Sequence, residues 1–342
     1  MNIYPGACHI HSIHSDGTGS IEEIALAAKR AGLSWIIITD HNNMDAKEGY
    51  YEGVTVIVGE EISPDTENHY LALGIKEPIS CNMPASEYIY QTKSQGGIGF
   101  VAHPDEQTNR QNSYPALRWT DWNLRGFDGI ELWNYMSDWV DGYNAKDIAQ
   151  SIKSLLFRNN VLTGPTPNTL KWWDELNNET AQIIPAIGGV DVHAMKFKKK
   201  FLEVEIFPYK DCFDTITNFL HFDEELPNNF QERKQAILHA LKEGRNIIAN
   251  RVWMSKDKIP LFLAQNASKK VFSGQKIELD EYTSLITKIP KRAEIRLFYD
   301  GQLIWNEDTN YLEFNKLDKG KYRLEVYYQN RPWIFTNPIL IY

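Results

Sequence analysis

The stretch Cys8-His9-Ile10-His11-Ser12-Ile13-His14-Ser15-Asp16-Gly17 decides how this 342-residue sequence is interpreted. On an extended strand, alternate side chains point to the same face, so His9 and His11 converge on one point. Asp16 follows in a polar turn, where the chain can fold its carboxylate back over the end of the strand. A histidine pair alone is about as often solvated as bound to a metal. The metal interpretation therefore depends on residues elsewhere in the chain.

A helix and a second strand follow this stretch. Ser20 and Glu23 form a capping box ahead of the amphipathic segment 21–31, and Gly32 is a stop signal. The apolar run 35–39 then predicts a buried strand. This β-α-β opening is typical of a parallel sheet covered by helices.

The same alternation continues over roughly the first 250 residues. The predicted strands are residues 7–11, 35–39, 54–58, 71–75, 97–102, 129–133 and 183–187. The predicted helices after the first are residues 85–94, 145–157, 168–176 and 230–242. The sequence therefore predicts an α/β fold with a mainly parallel sheet.

Imidazole and carboxylate side chains stand at the ends of these predicted strands. His41, Glu61 and His103 each directly follow an apolar run, and Asp191 and His193 repeat the two-residue spacing of the first pair after another run. The carboxyl ends of parallel strands meet at one edge of a sheet, which is where barrel enzymes build their sites. We therefore expect these side chains to lie close together.

The ligand set predicts a multinuclear metal site. His69 joins it as an exception, because it begins an apolar run instead of ending one. Imidazoles mixed with carboxylates are the ligands that Zn, Mn or Fe prefer. One tetrahedral ion cannot use nine ligands, so we expect two or three divalent transition-metal ions bridged by a carboxylate. The predicted ligands are His9, His11, Asp16, His41, Glu61, His69, His103, Asp191 and His193.

These segments resemble the motifs of the polymerase and histidinol phosphatase (PHP) superfamily, in order and over most of residues 1–195. The motifs are His9-x-His11, Ser15-Asp16-Gly17, Thr39-Asp40-His41, Gly59-x-Glu61-Ile62-Ser63, His103-Pro104 and Asp191-x-His193. The resemblance implies a distorted (β/α)7 barrel with a trinuclear centre that hydrolyses phosphoesters. Some members of the superfamily act on other esters, including aryl carbamates, so the resemblance specifies the metal site better than the substrate.

The resemblance also implies how the ligands divide among the ions. Glu61 would bridge the first ion to the second. The other ligands of the first ion would be His9, His11 and Asp191, those of the second His69 and His103, and those of the third Asp16, His41 and His193.

The chain changes character after about residue 251, where alternating β-rich segments are separated by turns such as Asp300-Gly301. This pattern predicts a small all-β, immunoglobulin-like sandwich at residues 253–342, after a barrel at residues 1–252. The segment Arg331-Pro332-Trp333 and its neighbours to Pro338 also resemble the sandwich appended to some two-domain PHP proteins. That domain has no histidine or cysteine, so we expect it to bind no metal and to bury an apolar seam against the barrel.

Composition narrows the choice of partners. Lys and Arg total 36 against 45 Asp and Glu, which gives a net charge of −9. A negative protein repels polynucleotides and anionic membranes, so we expect a small substrate, phosphorylated if the resemblance holds. The start of the sequence has no signal-peptide pattern, and three scattered cysteines give no disulfide framework. We therefore expect a cytoplasmic protein.

Several other side chains are candidates for secondary roles. His14 and Arg110 are candidate substrate-binding residues, and Arg118 could also contact a phosphate. Glu60 points away from Glu61 on an extended chain, so we interpret it as solvated or as a support for the ligands. A tryptophan set could line a pocket for an apolar leaving group or pack helices on the barrel. Its members are Trp119, Trp122, Trp133, Trp139, Trp172 and Trp173.

Three functions remain open on sequence grounds. In the first, a metal-activated water attacks a phosphoester, and no protein nucleophile is needed. In the second, the same centre attacks a carboxylic or carbamate ester. In the third, the metal site is structural and the chain is a binding protein, although structural sites close their coordination shell whereas catalytic sites leave a position open.

Overall fold

A β-α-β unit opens the fold, as the sequence predicts. The computed structural model describes residues 2–107, 116–142, 162–199, 202–255 and 258–342. In it β1 (Asn2–Ile10) is followed by α1 (Ile21–Ala31) and β2 (Trp35–Ile38). The predicted capping box is present at the start of α1, and Gly32 ends the helix with a φ of 76°. Glycine adopts this left-handed conformation without steric cost.

Seven strands close into a barrel in the order β1, β2, β4, β5, β6, β7, β8 and back to β1. The strands that follow β2 are β3 (Gly49–Tyr51), β4 (Val54–Ile62), β5 (Tyr70–Leu73), β6 (Ile98–Val101), β7 (Gly129–Asn134) and β8 (Ala186–Val192). β3 pairs with β4 outside the ring. The predicted distorted seven-stranded barrel is confirmed.

β5 is the source of the distortion, because it runs antiparallel to both β4 and β6. The remaining neighbours around the ring are parallel. The segment 63–69 between β4 and β5 is short, and a short connection joins antiparallel neighbours, whereas a parallel crossover needs a dozen or more residues. The start of β5 therefore lies at the same end of the barrel as the carboxyl ends of the other strands.

The helices after α1 are α2 (Ala85–Ser94), α3 (Tyr135–Gly142), α4 (Pro167–Asn178), α5 (Tyr209–Cys212) and α6 (Phe230–Lys242). Of these, α2, α4 and α6 agree with predicted segments to within two residues, and α3 and α5 were not predicted. The predicted helix at residues 145–157 lies outside the described residues.

The strand predicted at residues 183–187 starts later in the structure, where β8 begins at Ala186. Two side chains of α4 form hydrogen bonds with the backbone of Ile184. Asn177 accepts the Ile184 N–H at 3.0 Å, and the indole N–H of Trp173 donates to the Ile184 carbonyl at 2.8 Å. Ile184 is therefore held by the helix and not by a neighbouring strand. β8 itself runs from Ala186 through Asp191 to Val192.

The rest of the chain is mainly β-structure. It comprises β9 (Met195–Lys199), β10 (Leu202–Ile206), β11 (Ile216–Phe222), β12 (Asn246–Asn250), a 3-10 turn (Arg251–Trp253), β13 (Leu261–Gln265), β14 (Lys270–Phe272), β15 (Lys276–Ile277), β16 (Ser284–Tyr299), β17 (Gln302–Phe314), β18 (Gly320–Tyr328), β19 (Arg331–Thr336) and β20 (Ile339–Ile341). Pairing among β13 to β20 is antiparallel except between β15 and β20. β12 pairs with β19, so one ladder crosses the predicted domain boundary at residues 252 and 253, which stays a prediction.

The carboxy-terminal strands bury apolar and polar groups against the barrel. Phe335 of β19 lies in the barrel's core cluster, with its ring centroid 5.6 Å from that of Trp133. Asn337 exchanges two hydrogen bonds with the backbone of Ala186, at 2.6 and 2.9 Å. The start of β8 is therefore fixed by the carboxy-terminal region. Among the described residues, no helix has the length and apolar character needed to cross a membrane.

Candidate metal centre

All nine predicted ligands lie together at the carboxyl end of the barrel strands. The antiparallel direction of β5 explains the position of His69, which precedes that strand and so reaches the same end as His103 after β6. The ring centroids of these two histidines are 5.2 Å apart. The exception in the sequence pattern is thus a consequence of one reversed strand.

Glu61 lies in the middle of the cluster and uses both carboxylate oxygens. Its Oε1 lies 2.8 Å from Nδ1 of His69 and 3.3 Å from Nε2 of His103. Its Oε2 lies within 3.4 Å of a ring nitrogen of each of three further histidines, His9, His11 and His41. A carboxylate with different partners on each oxygen has the placement that a bridge between two cations requires.

Two other carboxylates complete the cluster. Asp16 Oδ1 lies 3.2 Å from Nε2 of His193 and 3.5 Å from Nε2 of His41. Asp191 Oδ1 lies 3.2 Å from Nε2 of His11 and 3.5 Å from Nε2 of His9. A third histidine lies within 4 Å of each, His11 for Asp16 and His193 for Asp191, so each carboxylate faces three histidines, as a carboxylate ligand in a mixed N/O metal site can.

Three sets of side chains each place their ligand atoms within 4.8 Å of one another. The sets are His11, Asp16, His41 and His193; His9, Glu61 and His103; and His9, His11 and Asp191. They overlap the three groups that the family resemblance implies. His11 joins the Asp16 set as well, and His69 approaches Glu61 without belonging to a complete set.

The donor set fits divalent cations. Nε2 of His9, both ring nitrogens of His11, and Oε2 of Glu61 are buried and form no hydrogen bond. An unpaired buried polar atom is costly, so a group that satisfies several of them at once is expected. Nitrogen and oxygen donors of this kind suit Zn, Mn or Fe, and the residues present fit two or three such ions.

The charges of the cluster depend on one another. Burial opposes ionisation of Glu61 and Asp191, but the surrounding histidines outweigh it and hold the pKa of both carboxyls well below the usual range. Burial and the nearby His193 lower the pKa of His11 to about 4. Burial also disfavours a charged His103, yet its carboxylate neighbours Glu61 and Glu106 raise its pKa to about 9. Bound cations would replace protonated histidines as the positive charges that stabilise the ionised carboxylates.

Glu131 is a functional residue that the sequence reasoning missed. This buried carboxylate accepts from Nδ1 of His9 at 2.8 Å and from the backbone N–H of His103 at 2.7 Å. With Nδ1 occupied, Nε2 of His9 is the atom that faces Glu61 and Asp191. The missed signal was a single charged residue inside the apolar run of β7.

Glycine at position 189 makes room for this contact. A Cβ atom added to Gly189 would collide with the Glu131 carboxylate and would lie 3.1 Å from the Cβ of His9. Any larger residue would therefore push the carboxylate away from the imidazole. The placement of Glu131 depends on β8 as much as on β7.

Asp40 holds the loop that carries Asp16. Its carboxylate accepts the backbone N–H and the hydroxyl of Ser12 and the hydroxyl of Ser15, each at 2.7 Å. Gly17 follows in the same loop, and a Cβ there would collide with the backbone of His11. Asp40 is therefore a structural support for the ligand loop.

Three of the ligands have positive φ angles, at 65° for His9, 26° for His103 and 50° for Asp191. Non-glycine residues adopt this conformation at a cost of order 1 kcal/mol or more. Such strain persists where surrounding contacts impose it, and it is concentrated at functional sites.

The candidates for secondary roles differ in where the structure places them. Glu60 points away from the cluster as predicted, but it is fully buried and accepts the N–H of Ile79 at 2.8 Å, so its interpretation as solvated is wrong. Burial raises its pKa to about 7. His14 is exposed on the loop between His11 and Asp16, and its substrate-binding role stays a prediction. Arg110 lies outside the described residues.

Comparison with known proteins agrees with the motifs. The sequence model of the PHP domain matches residues 7–295. No significant match was found among curated proteins. A two-domain protein containing a predicted PHP-like metal-dependent phosphoesterase, from Bacteroides vulgatus ATCC 8482, is 15% identical over 98% of this chain and 95% of its own, with a TM-score of 0.47. An amidohydrolase from Chromobacterium violaceum, with bound sulfate and no metal, is 14% identical over 55% of this chain and 87% of its own, with a TM-score of 0.32.

Proposed function

The chain belongs to the PHP domain family and is a metal-dependent hydrolase, and we propose that it cleaves phosphoester bonds of a small molecule or nucleotide. The observation that carries this proposal is the position of Glu61, whose two oxygens face five histidines between them. The ligand sets of the cluster would hold two or three ions. Divalent ions in such a cluster activate water for attack and neutralise negative charge on the ester.

Formal charge favours a phosphoester over a neutral ester. The ligand set contains three carboxylates, Asp16, Glu61 and Asp191, together with six histidines. With neutral histidines, three divalent ions would leave a charge of 6 − 3 = +3 and two ions 4 − 3 = +1, and Glu131 would lower each by one, so a clear excess remains with three ions. An excess of positive charge in a buried site attracts an anionic substrate and stabilises charge that develops on its oxygens.

The chain's own residues hold the candidate metal ligands in place. Glu131 sets the orientation of His9, and Asp40 holds the loop of Asp16, so the ligand positions are fixed before substrate binds. The net charge of −9 favours a small substrate over a long nucleic acid. A small phosphorylated compound is therefore the proposed substrate.

A substrate panel with metal-reconstituted protein tests the proposal. The panel contains phosphomonoesters, phosphodiesters, carboxylic esters and carbamates. Each substrate is assayed with protein reconstituted with Zn, Mn or Fe(II), with the same protein after chelation, and with the Glu61→Gln variant. We expect phosphoester hydrolysis that chelation abolishes and added metal restores. Exclusive cleavage of carboxylic or carbamate esters would contradict the phosphoester assignment, and turnover that is equal with and without metal would contradict metal dependence altogether.

A further inference from the structure

A cavity of about 610 Å³ is lined by three tryptophans, Trp119, Trp122 and Trp172. We propose that it binds a flat aromatic group of the substrate, the group released when the ester bond breaks. This inference rests on the proposed phosphoester hydrolysis and adds the class of leaving group. The tryptophans belong to a larger set for which the sequence left a pocket role and a packing role open.

The cavity wall is joined directly to the metal centre. Trp119 donates its backbone N–H to Pro104, the residue after His103, at 3.0 Å. Asn68, the residue before His69, donates its backbone N–H to the carbonyl of Arg118 at 3.1 Å. The backbone of residues 118 and 119 in the cavity wall is therefore hydrogen-bonded to the residues next to His103 and His69. Asp105 lines both this cavity and a smaller one that His103 and Glu131 also line, so the remaining part of a substrate held by the ions on this side would extend toward the tryptophans.

The aromatic walls leave a ring surface available. The rings of Trp122 and Trp172 meet edge to face with centroids 4.7 Å apart, and Trp122 is only half-buried. Trp119 is fully buried, and its indole N–H forms no hydrogen bond. Rings stack on exposed indole faces, so the half-buried Trp122 offers the face on which a ligand ring can stack.

Tryptophans of the same set outside the cavity have packing roles. The indole N–H of Trp133 donates to Asp138 at 2.8 Å, and that of Trp173 donates to the carbonyl of Ile184 at 2.8 Å. The Trp139 ring packs against Phe207 with centroids 4.6 Å apart. The two roles left open by the sequence therefore divide between two groups of tryptophans.

The charges of the side chains that line the cavity cancel, which favours an uncharged ligand group. Two cationic side chains, Arg118 and Lys171, are balanced by Asp105 and Glu175. Lys171 lies 3.6 Å from Glu175, and Asp105 accepts the hydroxyl of Thr166 at 2.6 Å. A neutral cavity beside a cationic centre divides a substrate into an anionic part and a neutral aromatic part. An aromatic phosphoester has this division.

Two substrates with similar leaving groups test the inference. Benzyl phosphate and cyclohexylmethyl phosphate both release a primary alcohol of similar size, but only the first has a flat ring. We expect kcat/KM to favour benzyl phosphate by roughly tenfold, which is within the range measured for stacking on an aromatic side chain. Trp122→Ala should remove this preference, with the larger loss of kcat/KM for benzyl phosphate, and Trp122→Tyr should retain it.

The controls separate the cavity from general damage. Trp305→Ala removes another half-buried tryptophan, one on β17 outside this cavity, and should change neither rate. Metal content should stay the same in all three variants, and thermal unfolding should show that each remains folded at the assay temperature. The backbone carbonyl of Trp122, which accepts from Trp172 and Arg125, remains in each Trp122 variant.

The outcomes distinguish this inference from the proposed function. Hydrolysis of both phosphates at equal kcat/KM, or an unchanged preference in Trp122→Ala, would overturn the inference and leave the phosphoesterase proposal standing. If neither phosphate is cleaved, the substrate panel decides the proposed function, and calorimetric binding of benzylphosphonate and cyclohexylmethylphosphonate decides the cavity: a preference lost in Trp122→Ala supports it, and equal binding contradicts it.

Discussion

Two clusters of buried charged side chains lie in different parts of this molecule, and they differ in how their atoms are paired. At the metal centre, buried atoms of His9, His11 and Glu61 form no hydrogen bond. At the junction between α4 and the carboxy-terminal strands, Arg323 donates to Asp174 at 2.7 and 2.6 Å and to Glu325 at 2.6 Å. The junction is complete without any further group, whereas the metal centre is not.

A second basic residue at the junction shows the same completeness. Lys321 donates to three backbone carbonyls, that of Asn177 in the last turn of α4 and those of Thr180 and Gln182 just beyond the helix. Carbonyls at a helix end lack partners within the helix, so a cation there is satisfied and stabilises the helix. Buried charge with full pairing is thus structural, and buried charge with several orphaned atoms marks a site for a cation.

The largest expected effect comes from two adjacent carboxylates with opposite surroundings. Glu61→Gln removes the negative charge between cations, so at least one ion should be lost and activity should fall by more than about 100-fold, beyond the cost of losing a supporting residue. Glu60→Gln should keep metal and activity within a few-fold, because Glu60 faces Ile79 and not the cluster. Metal analysis and turnover on both variants check this. A damaged Glu60 variant beside an active Glu61→Gln would mean that the wrong carboxylate is assigned.

The next effect concerns stability instead of metal. Arg323→Met leaves Asp174 and Glu325 without their cation, so the free energy of unfolding should fall by about 3–5 kcal/mol. The metal bound per folded chain should not change. Arg292→Met is the control, since Arg292 and Asp308 form an exposed ion pair and should contribute less than about 1 kcal/mol. Urea unfolding measures both variants, and equal losses would remove the distinction between the junction and an ordinary surface pair.

A smaller effect is expected at the residue that orients His9. Glu131→Gln can donate its amide N–H to Nδ1 of His9, which would place the ring proton on Nε2, the atom that faces Glu61. Metal affinity should fall by about 10–100-fold. Competition with a chelator measures the affinity, with Glu60→Gln as a second buried carboxylate of the barrel for comparison. Unchanged affinity would mean that Glu131 has only a packing role.

The smallest effect concerns His221, a buried histidine outside the metal centre. Both ring nitrogens of His221 are buried without a partner, yet His221 belongs to none of the metal-ligand sets found among the described residues. Burial lowers its pKa to about 4, against about 6.5 in an unfolded chain. Between these values the unfolded chain binds more protons, so stability falls as the pH drops.

From about pH 6.5 to about pH 5.5, this histidine should cost about 1 kcal/mol of unfolding free energy. His221→Phe keeps a ring against Phe272, whose centroid lies 5.6 Å away, and should remove that part of the pH dependence. Urea unfolding at both pH values gives the difference between wild type and variant. The same pH dependence in both proteins would show that His221 is hydrated or paired in solution.

The cluster of candidate ligands could be predicted because most of its members are coupled to a strong local pattern. His41, Glu61 and His103 follow apolar runs that are long enough to be buried strands, and parallel strands bring their ends together. The cap of α1 was equally local. Position in a barrel thus follows from residues that are close in sequence.

Other features depend on contacts between distant residues and could not be derived in this way. The reversal of β5 shows only in its pairing with β4 and β6, and the late start of β8 depends on side chains of α4. Glu131 contacts His9 from 122 positions away. The ladder between β12 and β19 likewise joins segments that the sequence separates into two domains.

The metal content of the full chain tests the contrast between the two buried clusters most directly. Elemental analysis of protein reconstituted with Zn, Mn or Fe(II), together with anomalous scattering from its crystals, would give the number and position of the ions. We predict two or three ions per chain, all within the cluster around Glu61 and none at the Arg323 junction. One ion or none in fully reconstituted protein would contradict the assignment of a multinuclear centre.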